Sequence, residues 1–463
     1  MSELIESGKL AASLSARRFR VEQGQPLAAT VRNLLLYGLL FHLFAFEATT
    51  LFSSPTESEL VADASSDAGN LYNQLILPAA FFAACTLVYA YRVPARVLFS
   101  ATIPMAPLLL VMVLSTAWSE YPELTIRRAS HELIEAISLA LLASCFTSAN
   151  VILKIFFRAF LTIGCLDLLS SFIFPNALTS LGLAGIHGHK NIAGQFFFTA
   201  IPVYILGTLY RQISGNRLIG LFALLSGIGM LILSESKTSL GATVFGLASV
   251  MLVRGLSHRD FAARVPWLLV CAMGLICAAI AIMLEPSDEL LETLVGDPTL
   301  TGRDGVWQYA ISKFAENPAG GTGYGAIWQI GPQIQLALRE MGIFLVFNES
   351  HNGYLEIIAQ LGIIGIFCFL IFLAATLLNT LWYWVNVEKH RLCGAGALAI
   401  YLFAGLALSN VTESLYFQSG IGSFGTLMFL AAFIAAGRRR TMMASTARAS
   451  STLGVDSRSR RPR

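Results

Sequence analysis

Residues 301–307 read TGRDGVW, 317–325 read NPAGGTGYG and 349–365 read ESHNGYLEIIAQLGIIG, and the last string runs straight into a membrane-length apolar stretch. This order sets Arg303 and His351 at a water–membrane boundary, because only the final string is long and apolar enough to open a span. An arginine and a histidine beside a membrane face suit an anionic, lipid-linked substrate.

The rest of the chain fits that placement. A soluble protein carries about a quarter charged residues, whereas this one has 13% charged and 55% hydrophobic residues, with a mean hydropathy of +0.66. Apolar runs of roughly 17 to 25 residues are what about 30 Å of hydrocarbon requires. Such runs are expected near 33–52, 73–90, 97–116, 131–147, 151–174, 192–210, 217–234, 238–253, 266–284, 353–380, 393–412 and 419–436. The fold class is therefore an all-α integral membrane protein of about 12 transmembrane helices. Period-two segments of a membrane barrel are absent from the sequence.

Basic residues are retained on the cytoplasmic side of a membrane. Arg17, Arg18, Arg20 and Arg32, then Arg92 and Arg96, Lys154, Arg211 and Arg217, Arg254, Arg259 and Arg264, and Lys389 and Arg391 fall on alternate connections. Both termini are thus expected on the cytoplasmic side of the membrane. The chain divides into a cytoplasmic segment (1–30), nine helices (31–284), a long loop outside the cytoplasm (285–352), three helices (353–437) and a basic tail (438–463) that reads as disordered. No cleavable signal sequence is expected, so the first span serves as its own insertion signal. The seven cysteines lie in or at the edges of expected spans, which argues against a disulfide framework in the loop.

Within the loop, Thr301 reads as a helix cap, and Trp307, Ile311 and Phe314 share one helical face before Asn317 and Pro318 end it. The glycines at 320, 321, 323 and 325 permit tight turns or close backbone approach. They match neither a P-loop nor a dinucleotide fingerprint. His351, at the entrance of the next helix, is a candidate proton acceptor near neutral pH, with Glu349 and Glu356 near enough in sequence to orient it. Asn352 and Tyr354 flank it.

Three further outer segments carry cations against the positive-inside trend. WSEYPELTIRRA (118–129) holds Arg127 and Arg128; AGIHGHKNIAG (184–194) holds His187, His189, Lys190 and Asn191; SESKTSLGA (234–242) holds Lys237. The two histidines of the second string have no Cys or carboxylate at usable spacing, so no metal site is expected. His42, Glu47, Glu135 and Asp167 read as interhelical or interfacial polar groups. Together Arg127, Arg128, Lys190, Lys237, Arg303 and His351 suit a diphosphate whose charge must be neutralised as a bond to it breaks. No Asp-x-Asp pair occurs, which favours cations over a divalent metal.

In order, these strings resemble the signature of the O-antigen ligase and polysaccharide polymerase superfamily, and GHKN (188–191) is similar to its exopolysaccharide polymerase branch. The resemblance covers about 116–366. It implies a GT-C-type glycosyltransferase fold, donor diphosphate binding by Arg303 and the cation at 237, and His351 as catalytic base. Many relatives carry arginine where this chain has Lys237. It further implies an undecaprenyl-diphosphate-linked oligosaccharide donor, a glycan acceptor and the bilayer as partners, beside chain-length regulator and export proteins, with no cofactor and no nucleic acid. A polymerase joining lipid-linked repeat units by inverting transfer is the leading expectation. The alternatives are a ligase acting on lipid A core or another acceptor, and a flippase or other transporter, which would place charges at the bilayer midplane in paired halves.

Overall fold

The structure, a computed structural model, describes residues 26–45, 71–179, 182–257, 303–328, 333–340, 349–388, 394–416 and 422–459. Its elements are α1 (Pro26–Ala45), α2 (Leu71–Ala90), α3 (Ala95–Thr102), α4 (Ala106–Leu114), α5 (Pro122–Ser144), α6 (Ala149–Ile173), a small hairpin of β1 (Leu178–Thr179) and β2 (Gly182–Leu183), α7 (Lys190–Leu209), α8 (Arg211–Ser214), α9 (Arg217–Leu233), α10 (Lys237–Leu256), α11 (Arg303–Glu316), α12 (Gln333–Glu340), α13 (Gly353–Asn386), α14 (Ala395–Ser409) and α15 (Gly422–Ser459). Among the described residues eleven of the twelve expected spans overlap helix, 97–116 as two helices, and the remaining one, 266–284, lies outside the described residues.

Among the described residues α1, α7, α10 and α13 are each long and apolar enough to cross a membrane, and α3 with α4 forms a further candidate bent by 66°. The bend follows from Pro104, which cannot donate to a continuous ladder. Helix α7 is the hub of the bundle. Phe196 on it meets Phe44 of α1 and Phe160 of α6 edge-on, with centroids 5.4 and 5.9 Å away. Phe198 stacks on Tyr401 of α14 at 5.1 Å, and the Tyr401 hydroxyl donates to the Phe198 carbonyl. By contrast α9 turns Leu218, Phe222, Leu225 and Ile232 outward, as expected of a face against lipid.

Helix α5 shows how the two ends of the bundle differ. Its 23 residues reach about 35 Å at 1.5 Å per residue. At its C-terminal end Arg32 donates to the Cys145 carbonyl, and Arg440 donates to the Phe146 and Ser144 carbonyls. Cations there meet the unpaired carbonyls and the negative end of the helix dipole. Arg438 likewise lies 5.3 Å over Trp382 and donates to Asn379 of α13. The basic segment after Ala436 thus begins as structure, and α15 continues to Ser459 where the sequence reads as disordered.

At the opposite end the long loop folds back onto α13. That helix is broken at Gly362, whose φ of 63° and ψ of −160° lie outside the helical region. The glycine-rich strand fills the break. Ile363 and Ile364 donate to the Pro318 and Ala319 carbonyls, while Thr322 and Gly323 donate to the carbonyls of Ala359 and Gln360. Every orphan group at a helix break inside a membrane protein needs such a partner. The close approach that the glycines permit is therefore to helix backbone.

Candidate functional site

The short first half of α13 presents His351. Asn352 caps the helix, its side-chain oxygen accepting from the Tyr354 and Leu355 amides at 3.1 and 3.0 Å. His351 itself takes a left-handed φ of 50°, a conformation that costs a non-glycine residue energy and clusters at functional sites. The surrounding contacts hold it there. Trp307 donates its indole N–H to the Ser350 carbonyl at 3.0 Å, and the Ser350 amide donates to Glu356 at 2.8 Å.

Two carboxylates flank the imidazole. His351 Nδ1 lies 2.9 Å from Glu349 Oε1 and 3.5 Å from Glu413 Oε2. Burial acts to lower the imidazole pKa, but the hydrogen bonds and negative charge of Glu349 and Glu413 outweigh it and raise it to about 9. Nδ1 faces the carboxylates, and the imidazole is 25% exposed. The nitrogen and the two carboxylates lie within 4.8 Å of one another, a spacing that could hold a divalent cation. The 2.9 Å contact is also a hydrogen-bond distance, so a proton completes the arrangement equally well.

Glu413 belongs to a turn, 410–414, that ties three helix N-termini together. The Gly353 amide, at the head of α13, donates to the carbonyls of Asn410 and Glu413 at 2.9 and 3.0 Å. Asn191, in the first turn of α7, donates its side-chain amide to Glu413 Oε1 at 3.0 Å. Thr238, in the first turn of α10, shares a hydrogen bond of 3.1 Å with Thr412. Lys190 and Lys237 are the first residues of α7 and α10. The N-termini of α7, α10 and α13 therefore meet on the turn that carries Glu413, with Lys190 and Lys237 as the first residues of two of them, an arrangement that favours an anion.

The other expected site residues fall elsewhere. His189 caps α7 through Nδ1, which accepts from the Asn191 amide. Arg128 donates to the Gly325 and Trp328 carbonyls and so clamps the loop; Arg127 lies exposed beside it on α5. A chain of hydrogen bonds runs on from Gly325 through Gln360 and Glu356 to Ser350, so Arg128 reaches the histidine only indirectly. Tyr354 turns inward and donates to the Ala407 carbonyl at 2.7 Å. Arg303 opens α11, one turn before Trp307 on the same face, and its side chain lies outside the described residues. Glu47 does too. The sequence reading missed Glu413 and its neighbours. The available signal was an acid within small polar residues, NVTES (410–414), at the end of an apolar run.

Residues 221–370 match the family described as O-antigen ligase. The chain is also 24% identical over 344 residues to the exopolysaccharide production protein ExoQ of Rhizobium meliloti (strain 1021), an alignment covering 70% of this chain and 74% of that protein. Both findings support the resemblance to an O-antigen ligase and ExoQ-like family. The family match contains Lys237, Arg303 and His351, whereas Lys190, Asn191 and Glu413 lie outside it.

Proposed function

We propose that this chain, which resembles the O-antigen ligase family, is a glycosyltransferase of polysaccharide biosynthesis, and that it polymerises repeat units carried on a polyprenyl diphosphate. The observation that carries this reading is the meeting of three helix N-termini, two of them begun by Lys190 and Lys237, on the turn whose Glu413 faces His351. The diphosphate binds at the helix ends and lysines, with Arg303 joining from the head of α11. Lysine supplies charge there without the bidentate fork of arginine.

In the reaction the neutral imidazole of His351 takes the proton of an acceptor hydroxyl through Nε2, as the hydroxyl oxygen attacks the anomeric carbon of the donor sugar. The new C–O bond forms while the bond to the diphosphate breaks. The electron pair leaves on the polyprenyl diphosphate, whose charge the cations neutralise, and the proton stays on an imidazolium stabilised by Glu349 and Glu413. Attack opposite the leaving group inverts the anomeric centre. No step calls for a metal. General-base help of this kind contributes about 10² to 10⁴ in rate.

The membrane setting follows the sequence: an inner membrane, both termini in the cytoplasm and the site on the periplasmic face. Polymerase is preferred to ligase because the similar ExoQ of Rhizobium meliloti is an exopolysaccharide production protein and because of the GHKN string. Purified protein in nanodiscs, given a polyprenyl-diphosphate-linked repeat unit with EDTA, is expected to give a ladder of longer lipid-linked glycans. Transfer only when lipid A core is supplied would make it a ligase. No transfer to either acceptor, with donor still bound, would favour the flippase reading.

A further inference from the structure

A buried aspartate–histidine pair lies beneath the turn that carries Lys190 and Asn191. Asp167 sits in the outer third of α6 and its side chain is 0% exposed, as is that of His187. Its Oδ2 is 3.0 Å from His187 Nε2, and its Oδ1 accepts from the Ile186 amide at 2.9 Å. A carboxylate inside a membrane bundle is costly unless paired in this way.

The carboxylate also fixes the backbone around it. Gly185 has a φ of 57°, and a Cβ at that position would run into Asp167 Oδ1, so the turn is wrapped directly on the acid. The His187 ring then lies 5.1 Å from that of Phe196, on α7. Gly188, with a φ of 71°, reverses the chain, and His189, Lys190 and Asn191 follow at once. One acid on α6 thus holds both the turn and the first part of the helix that present the lysine and the asparagine.

We infer that Asp167 and His187 are a positioning pair, which sets Lys190 toward the donor diphosphate and Asn191 toward Glu413. This rests on the glycosyltransferase reading above. Neither residue touches substrate; they act through the 185–191 segment. An interhelical hydrogen bond with only a packing role would lower stability without changing donor affinity.

The test is a binding and kinetic comparison of Asp167→Asn, His187→Gln, Lys190→Ala/Asn191→Ala, and each of the first two combined with that double substitution. The probe is polyprenyl diphosphate without sugar, so binding is read even if no transfer occurs. Asp167→Asn is expected to weaken probe binding and raise the donor KM by about tenfold, the scale of one charge-assisted hydrogen bond. Added to Lys190→Ala/Asn191→Ala it should cost little more, because both changes remove the same contacts. His187→Gln, which can still bond Asp167, should retain most of the affinity. Losses that add in full, or unchanged binding with a lower melting temperature, would overturn the inference. Should Asp167→Asn fail to fold, His187→Phe, which keeps the ring against Phe196 and removes the bond, decides the same question. A transfer-competent His351→Ala protein would count against the glycosyltransferase site and leave the binding comparison intact.

Discussion

Asn191 and Glu413 are 222 positions apart in sequence, yet the asparagine amide donates to the glutamate at 3.0 Å, and the other oxygen of that glutamate faces His351. The contact joins the head of α7 to the base and lets a buried acid act on the imidazole.

The charged groups around His351 are Glu349 on its own segment, Glu413 from the 410–414 turn, and His189 from the head of α7, which Lys190 follows. With the imidazole at about 9, only roughly 1% is neutral at pH 7, so transfer should rise with pH through a midpoint near 9. Glu413→Gln keeps an acceptor for Asn191 but removes one negative charge. The midpoint of the pH–rate curve should then fall by about one unit. A profile that stays in place would separate Glu413 from the chemistry.

Lys237 heads α10 and is exposed, so its substitution should act on the donor rather than on folding. Lys237→Ala is expected to raise the donor KM about tenfold. Lys237→Arg should preserve or tighten binding, because a guanidinium engages two phosphate oxygens. Equal KM values for all three proteins would remove the lysine from the site.

Trp307 bonds the carbonyl of the residue preceding His351. Trp307→Phe retains the ring and loses about 1 kcal/mol of hydrogen bonding. A several-fold fall in kcat with little change in melting temperature is the expected result. The reverse pattern would mark the indole as a packing residue.

Most of the helices were legible in the sequence because long apolar runs mark them, whatever the exact length each helix takes. The segment around His351 was legible too, since its histidine, its cap and the helix it opens lie within one string. Glu413 was hidden because its pairing depends on how α14 ends against α7 and α13, and neither period nor spacing carries that. Arg128 looked like an anion ligand from its outer position. Only the fold of the glycine-rich loop shows that Arg128 Nη1 donates to two loop carbonyls.

Gly362 should tolerate no side chain. Its φ is 63° and a Cβ would meet the Ala319 carbonyl, so Gly362→Ala is expected to cost about 1–3 kcal/mol. Thermal melting in detergent reads this directly. An unchanged melting temperature would mean that the loop and the broken helix are not packed as described.

The most direct test compares wild-type protein with His351→Ala in nanodiscs, each with polyprenyl-diphosphate-linked repeat units and EDTA, with products resolved by mass spectrometry and the new linkage by NMR. The wild type should yield longer glycans with an inverted anomeric centre, and His351→Ala should bind donor yet form none. Normal polymer from His351→Ala, or retained configuration in the wild-type product, would contradict the assignment of His351 as the base.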